Sequence, residues 1–284
     1  MSGQPVNRMR IVHTSTFRYP TPVVASYNEA RMTPLTRTGQ TVLSSRLDIQ
    51  PVTWSSAYHD YWGTAVTAFE VLAPHQTLVI TAEHLVEVTG PPARRSEAGW
   101  DELGSAVLRD RLAEHLAVLP TTAPPADVVE LARAAAAGLD PTAAAQAVCA
   151  AVRGEMEYIP GITTVHTPAT EAWAARKGVC QDITHLALGA LQSVGIPARY
   201  VSGYLDPRTD STPGETVTGE SHAWLECWTG EWWPIDPTNL RPVAQHHVVL
   251  ARGRRYDDVA PLRGIYAGPS AQELAVTVEI TALA

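Results

Sequence analysis

The sequence predicts an α+β fold, in which a β-sandwich-like N-terminal domain precedes a domain that mixes helices and strands. Alternating β-branched segments fill the first 90 residues, apolar residues recur at helical spacing between residues 105 and 194, and alternation returns from residue 199 onward. Helices followed by antiparallel strands are typical of an α+β layout. We therefore predict an N-terminal domain over 1–90, a linker over 91–100 and a second domain over 101–284.

The N-terminal strands are predicted from alternation between apolar and polar residues. Pro, Gly, Asn and Asp separate the segments, and short strands at this spacing suggest a small sandwich or barrel. The predicted strands cover residues 10–17, 42–49, 65–72 and 78–88. Gly90-Pro91-Pro92 then begins the linker.

Four helices are expected in the first half of the second domain. Asp140 is a suitable N-cap for the third, because Pro141 follows at the first helical position. Gly195 and Pro197 end the fourth, which reads as amphipathic. The predicted helices cover residues 105–119, 126–138, 141–153 and 181–194.

Strands return after the last helix. The final segment places Leu274, Val276, Val278 and Ile280 on one face, because side chains alternate along a strand. The predicted strands cover residues 200–203, 222–228, 231–235, 247–251 and 274–280.

Composition and charge argue against several classes of protein. The formal net charge of the 284 residues is −8 and no basic stripe stands out, so we expect no nucleic-acid partner. We also expect no membrane partner, because no segment approaches about 20 consecutive apolar residues and Met1–Arg10 has no signal-peptide core. Three cysteines without a CxxC pair favour a cytoplasmic location. The sequence indicates no particular oligomeric state, and a homodimer formed through the N-terminal domain is one alternative.

Three residues of the second domain suggest one catalytic site. Cys180 immediately precedes the predicted helix 181–194, where the helix dipole and free backbone N–H groups stabilise a thiolate. His222 lies in a predicted strand, and Asp236 ends the strand after it. A tight turn at Thr229-Gly230 makes these strands a hairpin, which sets Asp236 beside His222. A nucleophile, a base and an orienting carboxylate are the parts of cysteine acyl-transfer chemistry.

Other interpretations exist for the same residues. Taken singly, each is more often structural: a buried cysteine, a hydrogen-bonded histidine or an Asp-Pro turn. A metal site would use Cys180, His185, His222 and Cys227, but no pair has a known ligand spacing, so we expect no metal. A non-catalytic binding or scaffold protein would need a broken triad, whereas all three residues are present.

Four segments of the second domain resemble the core of bacterial transglutaminase-like proteins, in the same order. They are residues 178–186 (GVCQDITHL), 195–204 (GIPARYVSGY), 222–226 (HAWLE) and 233–239 (WPIDPTN). Residues 1–90 resemble the β-rich domain that precedes this core in many bacterial members, and residues 254–264 resemble their C-terminal segment. The resemblance implies a papain-like core with Cys180 as nucleophile, His222 as general base and acid, and Asp236 as orienting carboxylate. It implies no cofactor and no metal.

Further residues are weaker candidates. Tyr158 matches an aromatic residue that precedes the nucleophile in these proteins, and it would line the cleft or donate a hydrogen bond to the oxyanion. Gln181 and Trp224 are candidates for the same substrate or oxyanion contacts. Glu226 is expected to face the groove with Trp224, and His185 is either a core histidine or a neighbour of the site. The loop 206–220 precedes His222 and is a candidate gate.

The expected reaction is hydrolysis of a peptide or isopeptide amide through a thioester, with a peptide or protein as substrate. Cross-linking of glutamine to lysine is the second choice, because the three catalytic residues do not distinguish water from an amine as acceptor.

Overall fold

The computed structural model describes residues 6–208 and 212–284, and antiparallel strands fill the N-terminal part of the chain. They are β1 (Asn7–Val23), β2 (Ala25–Ala30), β3 (Gln40–Gln50), β4 (Trp54–His59), β5 (Ala65–Val71) and β6 (His75–Val88). Strands β2 and β4 were not predicted. Every residue of β4 is exposed, so its sequence carries no apolar alternation.

The helices follow, and most lie where the periodicity predicts them. They are α1 (Trp100–Gly104), α2 (Ala106–Arg111), α3 (Ala113–Leu116), α4 (Ala126–Ala136), α5 (Pro141–Gly154), α6 (Ala169–Ala175), α7 (Cys180–Ser193) and α8 (Tyr256–Val259). The single helix predicted over 105–119 is wrong. Ser105 caps α2 by accepting the Leu108 N–H, and the non-helical backbone of Leu112 separates α2 from α3. Asp140 caps α5 as predicted, because its carboxylate accepts the N–H groups of Thr142 and Ala143.

The remaining strands alternate with and follow these helices. They are β7 (Glu157–Tyr158), β8 (Lys177–Gly178), β9 (Ala198–Leu205), β10 (Thr216–Thr218), β11 (Glu220–Trp228), β12 (Trp232–Ile235), β13 (His247–Gly253), β14 (Leu262–Ala267) and β15 (Glu273–Leu283). Four of them form one antiparallel sheet in the order β12-β11-β9-β13. Helix α7 packs against β11 and β9, so the site predicted from sequence is built at this helix–sheet interface.

The α+β fold class is confirmed, but the C-terminal strands do not follow the predicted boundary at residue 101. Strand β15 pairs with β1 along eleven residues, and β14 pairs with β2. The N-terminal sandwich therefore has sheets ordered β10-β15-β1-β6-β3 and β14-β2-β5-β4, and residues 262–283 belong to it. Periodicity predicted that β15 is a strand, but it does not encode its partner.

Helix α7 differs from the amphipathic helix that we predicted. All residues from 181 to 192 are buried, so the helix is surrounded by protein on every side. Gly189 permits the close approach of the 119–125 turn, because a Cβ there would collide with the Thr122 carbonyl oxygen. A central, fully packed helix gives Cys180 a rigid support.

Candidate active site

Cys180 is the first residue of α7, and a neighbouring carboxylate organises this helix end. Asp182 Oδ2 accepts hydrogen bonds from the Val179 N–H at 2.8 Å and from Thr163 Oγ1 at 2.6 Å. Gly178 leaves room for this arrangement, because a Cβ there would lie 2.7 Å from the Asp182 Cβ. Burial raises the pKa of Asp182, while its hydrogen bonds oppose that change. The half-buried Cys180 side chain therefore stands at the fixed N-terminus of α7, where the first backbone N–H groups of a helix are unpaired.

Tyr158 is held close to Cys180 by the short parallel pair β7–β8. Tyr158 pairs with Gly178 in this ladder, and the Ile159 N–H donates to the Gly178 carbonyl at 3.0 Å. Burial, followed by the charges of Cys180 and Glu220, raises the pKa of Tyr158 to about 12. The phenol therefore keeps its proton and can donate a hydrogen bond at neutral pH.

His222 is positioned by strand pairing and by a bond to α7. It lies opposite Gly203 in the β11–β9 ladder, and Thr184 Oγ1 of α7 donates to the adjacent Ala223 carbonyl at 3.3 Å. This bond fixes the helix that carries Cys180 against the strand that carries His222. Cys180 lies close enough to His222 to raise the pKa of the imidazole.

Asp236 stands on the other side of the His222 ring, as the predicted hairpin requires. Strands β11 and β12 pair antiparallel from Trp228–Trp232 to Leu225–Ile235, and Asp236 follows directly. His222 Nε2 and Asp236 Oδ2 are 2.9 Å apart. Because Nε2 is engaged by the carboxylate, Nδ1 is the ring nitrogen left to face Cys180.

The Asp236 carboxylate is fully buried and accepts several hydrogen bonds. Its Oδ1 accepts the backbone N–H groups of Thr238 at 3.0 Å and Asn239 at 3.1 Å, and its Oδ2 accepts Asn239 Nδ2 at 2.8 Å. Burial alone would raise the pKa of Asp236, but hydrogen bonds from His222, His247 and Asn239 hold it well below its usual range. Burial would lower the pKa of His222, yet Asp236 and Cys180 raise it. The histidine therefore favours the imidazolium form.

His247 also contacts Asp236, and sequence reasoning missed it. Its Nε2 lies 3.4 Å from Asp236 Oδ2, and its Nδ1 accepts the Ala244 N–H at 3.4 Å, so Nε2 carries the proton. The available signal was His247 at the start of the predicted strand 247–251. Its relation to Asp236 depends on β13 pairing with β9, which local sequence does not reveal.

Among the described residues, one group of side chains has a geometry that could hold a metal ion. The ligating atoms of His222, Asp236 and His247 lie within 4.8 Å of one another. The set considered from sequence is not brought together in this way. His185 accepts the Tyr256 N–H at 3.1 Å, and the Cys227 thiol donates to the Trp233 carbonyl at 3.7 Å.

Two of the weaker candidates are occupied by structural contacts. Trp224 is 0 % exposed and stacks on His222 with ring centroids 6.0 Å apart, so its described contact is with the histidine, and a substrate contact stays a prediction. Gln181 is buried and its amide donates to the Val165 carbonyl at 3.2 Å. Glu226 does not share the groove of His222, because it pairs with Arg199 and Arg252 in a different cavity.

A cavity of about 440 Å³ opens beside His222 and Asp236. It is lined by Tyr158 together with Asn239, Arg153, Arg208, Arg241, Asp206 and Glu220. Asp206, Pro207 and Arg208 begin the predicted gating loop, but its residues 209–211 lie outside the described residues. The cavity is large enough for a small ligand or a peptide side chain. In the described residues we find no helix of the length and apolarity that crossing a membrane requires.

Comparisons with known proteins follow the same division of the chain. A model of the transglutaminase-like superfamily matches residues 130–237, and a model of the bacterial transglutaminase-like N-terminal region matches residues 9–87. An uncharacterized protein of Mycobacterium leprae (strain TN) is 45% identical over 277 residues, which cover 98% of this chain and 99% of the relative. An uncharacterized protein of Mycobacterium tuberculosis (strain ATCC 25618 / H37Rv) is 33% identical over 307 residues, which cover 96% and 92%.

A solved structure shares the fold over nearly the whole chain. The crystal structure of a candidate cysteine protease from Cytophaga hutchinsonii has a TM-score of 0.75 at 20% identity, covering 99% of this chain and 92% of that one. The matched core supports a cysteine-dependent enzyme in general terms. With both regions matched in order, this chain belongs to the transglutaminase-like superfamily and carries the bacterial N-terminal region.

Proposed function

We propose that this protein hydrolyses an amide bond in a peptide or protein substrate, at a peptide or isopeptide linkage, through a thioester on Cys180. One observation carries the proposal: His222 is hydrogen-bonded to the buried carboxylate of Asp236 and lies close enough to Cys180 for that residue to raise its pKa. This is the arrangement that activates a cysteine nucleophile by an adjacent, oriented base.

In the first half of the reaction, the Cys180 thiolate attacks the amide carbonyl carbon and forms a C–S bond. The carbon–nitrogen bond then breaks, and the His222 imidazolium gives its proton to the leaving nitrogen. An amine departs and the acyl group remains as a thioester. Asp236 stabilises the imidazolium before this transfer and keeps the ring oriented.

In the second half, neutral His222 takes a proton from water while the water oxygen attacks the thioester carbonyl. The C–S bond breaks, the product leaves as a carboxylic acid, and the Cys180 thiolate and His222 imidazolium are restored. Water is the proposed acceptor because exposed residues, Glu220 and Arg241, border the cavity beside His222. Transfer to a lysine amine is the alternative outcome, and it needs an additional site for that amine.

The negative charge on the carbonyl oxygen needs hydrogen-bond donors. Backbone N–H groups at the start of α7 are available there, since the first turn of a helix leaves them unpaired. The Tyr158 hydroxyl is a second proposed donor, because it keeps its proton at neutral pH and borders the same cavity.

The proposal is tested with wild type, Cys180→Ala and a matched control, Cys227→Ala, whose thiol is buried. Peptide libraries that contain glutamine side chains and isopeptide linkages serve as substrates, and mass spectrometry follows released acid, released amine and the acyl-enzyme. Cys180-dependent release of free acid without added amine would support hydrolysis.

Other outcomes are equally informative. Incorporation of an added amine into the product would indicate transamidation instead. If wild type and Cys180→Ala behave alike and iodoacetamide does not label Cys180 selectively, the chain is a non-catalytic binding protein and the proposal fails.

A further inference from the structure

A second cavity, of about 400 Å³, is lined in part by Trp224 and His247. The loop 37–40 and residues 88–95 form one side of it, and strands β9, β11 and β13 form the other. His247 lines both this cavity and the one beside His222. The second cavity is therefore separate from the proposed reaction centre but shares one side chain with it.

Arginine side chains dominate this cavity, and one carboxylate serves two of them. Glu226 is 5 % exposed. Arg199 Nε and Nη2 donate to its Oε2, at 2.8 and 2.5 Å, while Arg252 donates to Oε2 at 2.8 Å and to Oε1 at 2.6 Å. Both carboxylate oxygens are thus engaged by the two guanidinium groups.

Arg37 is a third guanidinium in the same cavity. Its Nε and Nη1 are buried and have no hydrogen-bond partner within the described residues. Burial lowers the pKa of Arg37, the Glu226 charge opposes this change, and the Arg199 charge adds to it. An arginine stays protonated in a protein, so Arg37 presents buried, unsatisfied donors with a positive charge.

The charges of the cavity do not balance. Arg37, Arg199 and Arg252 face the single carboxylate of Glu226. At the rim, Glu231 accepts the Arg95 backbone N–H, and the positive charge of Arg95 acts on the same carboxylate. Because an uncompensated buried charge is costly, an excess of two positive charges calls for an anion.

The loop that carries Arg37 is anchored before any ligand binds. Gln40 donates from Nε2 to the carbonyls of Leu35 and Val249, both at 3.0 Å, and its Oε1 accepts the Val249 N–H at 2.8 Å. These bonds attach the loop 35–40 to β13. On the other side, the Arg199 guanidinium lies over the Trp232 ring at 4.0 Å from its centroid.

We propose that this cavity binds a small molecule through an anionic oxygen group, either a carboxylate or a phosphate, held by Arg37 with Arg199 and Arg252. Guanidinium groups pair with both kinds of group through parallel hydrogen bonds. The cavity is larger than a bare ion needs, so the ligand carries further atoms that contact the Trp232 side. The ligand lies against His247, which contacts Asp236, so binding alters the environment of His222.

The test measures binding of inorganic phosphate and of glutarate to the full chain by isothermal titration calorimetry at low ionic strength. Arg37→Gln should weaken binding about tenfold or more, because a charge-assisted bond is lost. Arg46→Gln is the matched control, since its side chain is 77% exposed on β3, and it should leave affinity unchanged. Phosphate binding alone or glutarate binding alone identifies which anion class the cavity prefers.

A second measurement needs no variant of the cavity. In titrations of wild type, the indole N–H signals of Trp224 and Trp232 should shift, while that of exposed Trp54 should not. The proposal is overturned if neither anion binds, if Arg37→Gln binds as tightly as wild type, or if all indole signals shift alike. Binding does not depend on Cys180, so its failure leaves the proposed function untouched.

Discussion

Two groups of buried histidines lie next to adjacent residues of β9, and they differ in one chemical respect. Gly203 pairs with His222, whereas the hydroxyl of Tyr204 lies 3.0 Å from His13 Nδ1 and its ring faces His84. His222 touches the Asp236 carboxylate and its pKa is raised. Burial lowers the pKa of both His13 and His84 to about 4, because the hydroxyls, rings and Met32 backbone that contact them, and the charge of Glu83 near His84, do not offset it.

This comparison separates burial from charge pairing. His84 is 0 % exposed and His222 is 5 % exposed, so burial alone would give both a lowered pKa. A carboxylate in contact reverses the direction, because it stabilises the imidazolium more than burial penalises it. The group around His222 is therefore suited to proton transfer, while the group around Tyr204 holds the sandwich against the core with neutral rings.

The largest effect is expected when the carboxylate is removed from the His222 group. Asp236→Asn should lower the pKa of His222 toward that of His84 and reduce kcat about 10³- to 10⁴-fold, by analogy with other oriented histidine bases. The measurements are kcat on the substrate found for wild type and a ¹H–¹⁵N titration of His222. Asp48→Asn, on β3, is the control for loss of one negative charge.

A small change in kcat, or a His222 pKa that stays high in Asp236→Asn, would contradict the comparison. The second result would mean that Cys180 alone supplies the stabilising charge.

The next largest effect is expected at Gly203 of β9, which lies against the Trp224 ring that stacks on His222. A Cβ at Gly203 would collide with the Val248 carbonyl and lie 2.6 Å from Trp224 Cη2. Gly203→Ala should lower the free energy of unfolding by about 3 kcal/mol, because backbone and a buried indole cannot yield easily. Urea unfolding measures this change, and Gly99→Ala is the control, since nothing lies within 4 Å of its added Cβ. Equal stability of the two variants would show that β9 and β13 separate freely.

Local sequence predicts the His222 group well, for a physical reason. Cys180 precedes a helical pattern, and the β11–β12 hairpin needs only a short turn to bring Asp236 to His222. Each relation depends on neighbouring residues, so periodicity and turn chemistry suffice.

Long-range strand pairing explains what the sequence did not reveal. His247 reaches Asp236 only because β13 crosses to pair with β9, and residues 273–283 return to β1 near the start of the chain. Period-two alternation specifies that a segment is a strand and which side chains share a face. It does not specify the partner strand. The cavity that contains Arg37 is formed by segments distant in sequence, so local sequence did not predict it either.

A moderate effect is expected from removing a buried neutral histidine. The unfolded pKa of a histidine is about 6.5, while that of folded His84 is lowered to about 4. Between these values the unfolded chain binds the proton, so stability falls as the pH decreases. Between pH 7.5 and 5, wild type should lose about 2 kcal/mol more free energy of unfolding than His84→Gln.

Urea unfolding at both pH values measures this difference. His59→Gln, at an exposed position on β4, is the control and should keep the wild-type pH dependence. The same loss in His84→Gln as in wild type would place the acid-sensitive groups elsewhere.

The smallest expected effect comes from adding a carboxylate beside His84, in the group around Tyr204. Ser45 Oγ lies 2.9 Å from His84 Nδ1, so Ser45→Asp places a negative charge beside this ring. Because residue 45 is exposed, solvent screens the charge, and we expect a rise of about 1 unit in the pKa of His84. That rise should restore about 0.4 kcal/mol of stability at pH 5, and about 1.4 kcal/mol only below pH 4. Ser45→Asn provides the uncharged match. An NMR titration of His84 that gives the same pKa in both variants would mean that contact with a carboxylate is not enough, and that the His222 group also depends on the full burial of Asp236.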